Sequence, residues 1–346
     1  MVNFYKDLIN YLRYKKKESE YDICFFCETS FIYQYLEPYI EKKLKKKKVL
    51  LILFENIQTN YLDKDSTFVF KTNFFREVVF LTLNVKYLYS STPELNDTIF
   101  KRSKLYKCKY IYLQHSPVSL TMIYSSKAFN KFDAIQVISK FQYDEMLEIK
   151  NRYNLKIKIF KSRYLFVKKH LNKKDYAKKD ADLLIAPSWN SSFFKLECHK
   201  ILRDLLINND ITYKIRPHPM SYIKEEISKK DLLNLGMKID ESQYIDFNKY
   251  NFFISDWSGL FIEYALIFKR KSYLINTPKK IVNKNFENYK SRPVEILLRD
   301  TFCKTYEIKE IKSIIEDICK LKNKPHNISQ INEDKNIEKV LIENFY

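Results

Sequence analysis

The sequence predicts an α/β protein with two domains, each built on a parallel β-sheet. Short β-rich runs alternate with amphipathic segments along nearly the whole chain, which is the pattern of parallel sheets connected by helices. The length of 346 residues exceeds the size at which one hydrophobic core usually stops growing. With 45% hydrophobic and 30% charged residues, the chain has a globular composition. The predicted fold class is therefore α/β in two halves.

The predicted strands are short apolar runs bounded by polar residues. In the first half they are Asp22–Phe26, Val49–Phe54, Val78–Leu83, Tyr110–Gln114, Ala134–Ile138 and Ile157–Phe160. In the second half they are Leu183–Ala186, Tyr213–Arg216, Met237–Ile239, Phe252–Ser255 and Tyr273–Ile275. Apolar residues recur at helical spacing in Phe193–Asn209 and in Glu307–Lys320, which predicts a helix in each of these segments.

A polar, charged stretch without periodicity separates the two series of strands. It predicts a linker over residues 167–182, an N-terminal domain over 1–166 and a C-terminal domain over 183–346. Open parallel sheets bind ligands at the carboxyl ends of their strands. Two such domains, with their sheets facing a central cleft, would hold a ligand in that cleft.

The formal charge of +20 suggests a nucleic-acid partner, but the charge is mostly lysine and is spread along the chain. We expect no nucleic acid to bind. The run Lys42–Lys48 is either a solvated face or a contact with an anionic membrane, where each basic residue contributes roughly 1 kcal/mol. The run around Lys168–Lys179 fits a solvated linker. Apolar runs such as Val49–Phe54 are far shorter than the ~20 residues of a spanning helix, and we expect a cytoplasmic protein.

Cysteines and acidic pairs give no sign of a metal or redox centre. Cys24 and Cys27 form a CxxC inside an apolar run typical of a buried strand, where residues three apart face opposite sides. Asp63 and Asp65, like Asp180 and Asp182, lie in lysine-rich polar stretches. We therefore expect structural thiols and no required metal or cofactor.

The chain contains only two glycines, Gly236 and Gly259. A Walker A loop, a GxGxxG dinucleotide turn and a GxSxG nucleophile elbow each need more glycines than the chain can place together. Classical P-loop NTPases, typical Rossmann dehydrogenases and standard α/β-hydrolases are thereby excluded.

Polar motifs follow four of the predicted strands at their carboxyl ends. They are His115-Ser116-Pro117, Pro187-Ser188-Trp189-Asn190, Arg216-Pro217-His218-Pro219 and Ser255-Asp256-Trp257-Ser258-Gly259. Because the carboxyl ends of parallel strands share one edge of a sheet, these motifs are the candidate active site.

The last motif is typical of a helix N-terminus that binds an anion. If Asp256 caps the helix, the backbone N–H groups that follow can bind phosphate, with Ser258 adding a hydroxyl. Gly259 would let the phosphate approach closely. Glu263, one turn further along, could hold the hydroxyls of a ribose. The alternative is an ordinary capped helix in which Gly259 packs against a neighbour.

The other motifs carry imidazole, guanidinium and indole groups. The flanking prolines bias Arg216 and His218 to extended backbone, so their side chains point the same way and suit a diphosphate. His115 is a candidate general base or phosphate ligand, or alternatively a core histidine. Trp189 could stack on a base, although a core tryptophan is the commoner outcome.

In this order, the motifs YLQHSP, APSWN, IRPHP and SDWSGLFIEY resemble those of the CDP-glycerol glycerophosphotransferase family, which builds teichoic acids and related capsule polymers. The family has His-Gly-Thr-Pro, Pro-Thr-Trp-Arg, Lys/Arg-Pro-His-Pro and Asp-Tyr-Ser-Ser at the corresponding places. The resemblance implies a GT-B-like fold with an acceptor-side N-terminal domain and a donor-binding C-terminal domain.

The resemblance also implies roles for individual residues. His115 would be the catalytic base, and His218 would bind the donor diphosphate. Arg216, Ser255, Asp256, Ser258, Gly259 and Glu263 would hold the donor, with Ser188, Trp189 and Asn190 as further contacts. The implied reaction moves glycerol phosphate, or a related polyol phosphate, from a CDP-linked donor to a polymer or lipid-linked glycan at the inner face of the cell membrane, with basic patches contacting the membrane.

This chain departs from the family pattern at several motif positions. The HSP motif is one residue shorter than its counterpart, Asn190 replaces an arginine and Gly259 replaces a serine. A glycosyltransferase that uses a nucleotide sugar for capsule or lipopolysaccharide is therefore an alternative on the same scaffold. A non-catalytic nucleic-acid-binding protein is a remote third possibility, which rests on charge alone.

Overall fold

The computed structural model describes residues 2–59, 65–171, 179–190, 192–322 and 334–345. Within them the chain forms two compact units. The first takes the chain up to His115 and again Tyr124–Phe166, and the second takes Ser116–Ile123 and Val167–Phe345. The chain therefore enters the second unit briefly, returns to the first and then enters the second for good.

The first unit contains a seven-stranded parallel sheet in the order β3-β2-β1-β4-β5-β6-β7. Its strands are β1 (Ile23–Cys27), β2 (Val49–Leu53), β3 (Thr67–Val69), β4 (Tyr87–Ser90), β5 (Lys109–Leu113), β6 (Ala134–Val137) and β7 (Lys158–Lys161). Its helices are α1 (Val2–Lys17), α2 (Ser30–Leu44), α3 (Asn73–Leu81) and α4 (Lys140–Arg152), and α5 (Leu165–Leu171) passes into the second unit.

The second unit contains a five-stranded parallel sheet in the order β12-β11-β10-β8-β9. Its strands are β8 (Leu183–Ile185), β9 (Tyr213–Ile215), β10 (Phe252–Ser255), β11 (Ser272–Ile275) and β12 (Cys303–Tyr306). Its helices are α6 (Cys198–Asn208), α7 (Pro219–Ile223), α8 (Lys229–Asn234), α9 (Leu260–Phe268), α10 (Val294–Leu297), α11 (Arg299–Phe302), α12 (Ile311–Lys322) and α13 (Lys335–Asn344).

Each unit has its own hydrophobic core. In the first unit, aromatic rings pack together against the sheet, with Phe26 4.8 Å from Phe80 and 5.0 Å from Phe100 between ring centroids. In the second unit, α6 and α12 bury apolar side chains such as Leu202 and Ile314 against the sheet. The predicted fold class, α/β with two parallel sheets, is confirmed.

The predicted strand Val78–Leu83 is wrong, because its first four residues form the end of α3 and none of it is a strand. Phe75 and Val79, four residues apart, lie on the same buried face of that helix. The carboxylate of Asp7, on α1, accepts the N–H groups of Lys71 and Thr72 just before the helix begins. Such a contact across 65 residues leaves no trace in the local pattern.

The other strand predictions agree with the structure except at Met237–Ile239, where only one bridge, between Ile215 and Ile239, forms. The remaining predicted strands are all present, with bounds that differ by one residue at most. The sequence pattern missed β3, β4 and β12. Cys24 and Cys27 are both buried in β1, as predicted, and burial raises their pKa.

The predicted linker 167–182 begins inside α5, and its residues 172–178 lie outside the described part of the chain. The segment Ser116–Ile123, which the sequence assigned to the first domain, groups with the second unit. The side chain of Glu295 accepts the N–H of Ser119, and Asn283 donates to the carbonyl of Thr121. These contacts span more than 160 residues and could not be predicted from local sequence.

Candidate active site

Three of the four predicted motifs lie at the carboxyl ends of adjacent strands in the second sheet. Ser188 and Trp189 follow β8, Arg216 and His218 follow β9, and Asp256 follows β10, in the sheet order β10-β8-β9. The second unit therefore brings these motifs to one edge of its sheet, as the sequence predicts. His115, the fourth, belongs to the first unit, where its ring lies 5.8 Å from that of Tyr35 and its carbonyl accepts the Tyr164 hydroxyl.

His218 is the N-cap residue of α7. Its Nδ1 accepts the N–H of Met220 at 3.1 Å, so the neutral imidazole carries its proton on Nε2. The ring of Trp189 lies 6.3 Å from the His218 ring, between centroids. An N–H donor and a π face thus lie side by side at the ends of β9 and β8.

The sequence predicted that Asp256 caps the following helix, but the N-cap of that helix is Gly259. The fully buried carboxylate of Asp256 accepts the N–H of Ser188 at 2.7 Å and the N–H of Trp257 at 2.6 Å. The helix, α9, begins only at Leu260, whose N–H reaches the Ser258 hydroxyl at 3.4 Å. Asp256 instead ties the motif after β10 to the motif after β8, which local sequence cannot reveal because the two are 68 residues apart.

The scarce Gly259 is explained by close packing. A Cβ atom on this residue would lie 2.6 Å from Ser116 Oγ and 2.6 Å from Val118 Cγ1. Real Cβ atoms essentially never approach so closely, so only glycine fits here without displacing the segment Ser116–Ile123. The packing alternative from the sequence is therefore supported, and phosphate binding at this position stays a prediction.

Two other predicted donor contacts have structural partners. Arg216 Nη1 pairs with Asp240 at 3.1 Å and donates to the carbonyl of Ser242 at 2.9 Å. Ser255 is fully buried, and its hydroxyl donates to the carbonyl of Ala186 at 2.7 Å. Both residues fasten the loops of the site, and phosphate binding by either one stays a prediction.

Glu263 and Asn190 complete the predicted set. Glu263 is fully buried in α9, so its contact with a ribose stays a prediction. Asn190 is exposed, and its N–H donates to Glu226 at 2.6 Å. Its φ of +59° is in the left-handed region, which asparagine tolerates better than most residues. Asn190 therefore shapes the turn that carries Trp189.

Sequence reasoning missed Lys280, whose Nζ lies 4.7 Å from the Trp189 ring centroid. Lys280 is 7% exposed, in the loop after β11, and no ion pair to it is found within the described residues. Burial lowers its pKa to about 8, against the opposing effect of Asp256 and Glu295. A lysine in the polar segment TPKK gives no local sign of burial.

Glu295 and Arg299 were also missed, although a glutamate and an arginine four apart in an apolar segment are a signal of buried charge. Burial raises the pKa of Glu295 to about 7. Arg299 donates to the carbonyl of Asp256 at 3.0 Å and lies 4.1 Å from the Trp257 ring centroid. Burial lowers the pKa of Arg299. Arg299 also donates to the carbonyl of Ile275 at 3.3 Å, so it joins the ends of β10 and β11.

Structures of known proteins resemble nearly the whole chain. One is the wall teichoic acid polymerase TagF, as a variant soaked with CDPG, with a TM-score of 0.57 and 13% identity over 98% of this chain and 88% of that one. Another is the UDP-GlcNAc 2-epimerase of Methanocaldococcus jannaschii, with a TM-score of 0.48 and 15% identity over 92% of this chain and 98% of that one. No family model and no curated protein matches the sequence. The likeness to TagF confirms the predicted GT-B-like fold class.

Proposed function

We propose that this chain is a cytoplasmic transferase, peripheral on the inner face of the cell membrane. It moves glycerol phosphate, or a related polyol phosphate, from a CDP-linked donor to a cell-surface polymer or lipid-linked glycan. The donor binds at the edge of the second sheet, and the proposed reaction uses no metal or further cofactor.

One observation carries the proposal. The motifs APSWN, IRPHP and SDWSG, which suggested this family, follow three adjacent strands of a single sheet. They are joined by the Asp256 carboxylate and by the neighbouring rings of Trp189 and His218. The resemblance to TagF, a teichoic acid polymerase, extends over 98% of this chain and supports the same assignment.

In the proposed site, His218 donates its Nε2–H to a non-bridging oxygen of the donor diphosphate, because its Nδ1 is held as an acceptor by Met220. The Lys280 ammonium adds positive charge on the face of Trp189. Asp256 keeps the loop that carries Trp189 in place. Arg216 and Ser255 support these loops, and their contact with the donor phosphates stays a prediction.

The proposed reaction is the attack of an acceptor hydroxyl on the β-phosphorus of the donor. A new oxygen–phosphorus bond forms, the bond between this phosphorus and the bridging oxygen breaks, and CMP leaves with that oxygen. His115 takes the proton of the attacking hydroxyl, and the donors around His218 stabilise the charge that develops on the leaving phosphate.

The test is calorimetric titration of the purified chain with CDP-glycerol, CMP and a set of nucleotide sugars. We expect CDP-glycerol and CMP to bind and His218→Ala to weaken both. His218→Asn is the matched control for folding, because asparagine caps a helix well but lacks the imidazole. It should bind as weakly as His218→Ala.

Three results would contradict the proposal. Binding of a nucleotide sugar in place of CDP-glycerol would favour the glycosyltransferase. Full affinity in His218→Asn would limit His218 to capping α7. Transfer at the wild-type rate in His115→Ala would remove the catalytic part of the assignment.

A further inference from the structure

The outer face of α1 presents an apolar stripe to solvent. Its members Val2, Tyr5, Ile9 and Leu12 are between 57% and 69% exposed, and their spacing of three and four residues puts them on one side of the helix. A stripe at this spacing is usually buried in a core. Here it points away from the protein.

The opposite face of α1 is firmly held, so the stripe is not exposed by a misplaced helix. The buried Asp7 carboxylate accepts the N–H of Thr72 at 2.7 Å, and the Tyr14 hydroxyl accepts the N–H of Asn84 at 3.0 Å. Tyr14 also packs edge-on against Phe68. Only one face of α1 therefore packs against the rest of the unit.

Neighbouring segments of the same unit extend the exposed apolar surface. Phe74, at the start of α3, is exposed, and its ring lies 6.0 Å from that of Phe4. Leu105 and Tyr106 are exposed in the loop before β5, and the Lys15 ammonium lies 5.5 Å from the Tyr106 ring centroid. Contiguous exposed apolar patches are uncommon on a solitary protein and mark interaction surfaces.

The charge around this stripe is positive. Lys6 and Lys16 are exposed on α1, and Lys104 and Lys107 are exposed in the loop that carries Leu105. Within the described ranges, none of these four lysines forms an ion pair. The only carboxylate of α1 is Asp7, on the buried face. An apolar stripe with lysines on its flanks complements an anionic lipid surface.

The sequence left Lys42–Lys48 open as either a solvated face or a membrane contact. In the structure, Lys47 pairs with Asp22 at 3.1 Å and Lys48 with Glu20 at 2.9 Å. No large exposed apolar side chain lies in that run. It therefore lacks the apolar surface that adds to the electrostatic attraction in membrane binding.

We infer that the outer face of α1, together with Phe74 and Lys104–Lys107, is the surface by which this chain binds an anionic membrane. A second copy of the chain is a poorer occupant, because two such faces would bring like charges together. This inference rests on the membrane association in the proposed function and names its surface, but it does not depend on the donor site of the second unit, so the two can fail separately.

The experiment is co-sedimentation of the full chain with phosphatidylcholine vesicles that contain or lack phosphatidylglycerol. The wild type should sediment with the anionic vesicles and be released by salt. The triple variant Tyr5→Ser, Ile9→Ser, Leu12→Ser should bind at least about tenfold more weakly, because three apolar side chains no longer leave water. Lys47→Ser with Lys48→Ser is the matched control and should bind like the wild type.

Charge reversal tests the electrostatic part without changing the stripe. Lys6→Glu with Lys16→Glu should weaken binding to anionic vesicles by about tenfold or more. Calorimetry on the triple variant should show unchanged binding of CDP-glycerol. Wild-type binding to neutral and anionic vesicles alike, or none to either, would overturn the inference. So would a wild-type dimer that becomes monomeric in the triple variant, because the stripe would then join two copies.

Discussion

The ammonium group of Lys280 lies over the ring of Trp189, with Nζ 4.7 Å from the ring centroid. Trp189 follows β8 and Lys280 follows β11, so the contact joins the ends of two strands in the second sheet. A nearly buried ammonium is costly unless something compensates its charge. The Trp189 ring does so in part, and an anionic donor would complete the compensation.

Lys280→Met should weaken the binding of CDP-glycerol by about ten- to a hundredfold, because a charge-assisted hydrogen bond is lost. Wild-type affinity should also fall as the pH rises through about 8, the pKa of Lys280, whereas the variant should lack this dependence. Calorimetry across that range measures both effects. The control is Lys279→Met, at the exposed neighbouring lysine, and an equal loss in both variants would remove Lys280 from the donor site.

Gly259→Ala should destabilise the second unit by about 1–3 kcal/mol, because the added methyl group overlaps Ser116 and Val118. Val118→Ala removes one of the two clashing atoms. Gly259→Ala should therefore lower the free energy of unfolding less in the Val118→Ala background than in the wild type. Urea unfolding of the single and double variants measures this coupling. Simple additivity would mean that Val118 does not contribute to the cost of the added methyl group.

Glu295 should make stability depend on pH. Burial raises its pKa from 4.5 to about 7, so the folded state binds this proton more tightly than the unfolded state. The stabilisation is complete below the unfolded value of 4.5 and is lost as the pH rises through about 7. It amounts to about 3 kcal/mol.

As the pH rises from about 5 to about 7.5, the free energy of unfolding should therefore fall less in Glu295→Gln than in the wild type. Urea unfolding at the two pH values gives the difference. Glu287→Gln, at an exposed position, should behave like the wild type. Identical pH dependence in all three proteins would contradict the raised pKa.

Arg299→Met should destabilise the second unit by about 3 kcal/mol, since two charged hydrogen bonds, to the carbonyls of Asp256 and Ile275, are lost while the packing on Trp257 is largely kept. Chemical unfolding measures the change. Arg299→Lys should recover part of the loss. A loss below about 1 kcal/mol in Arg299→Met would show that the two carbonyls find other donors.

The elements that sequence reasoning predicted well are those whose signal is local. Apolar runs such as Leu50–Leu53 and Phe252–Ile254 are strands because a central parallel strand is buried on both faces. The motifs at the edge of the second sheet were found because strand ends predict ligand positions. Sequence reasoning failed where a contact with a distant residue sets the local structure. Asp7 anchors the start of α3, and Asp256 accepts the N–H of Ser188 instead of capping α9. Lys280 was missed because burial of a lysine is a property of the fold.

The excursion of Ser116–Ile123 into the second unit has a consequence for how the chain reaches its native state. Ser119 is synthesised 176 residues before Glu295, the side chain that binds its N–H. During synthesis, the N–H of Ser119 therefore lacks this hydrogen-bond partner until almost the whole polypeptide has been made. A protein cut at Val167 would yield a second unit that lacks a piece of its own interior, and the separated halves should regain full stability only when they are mixed.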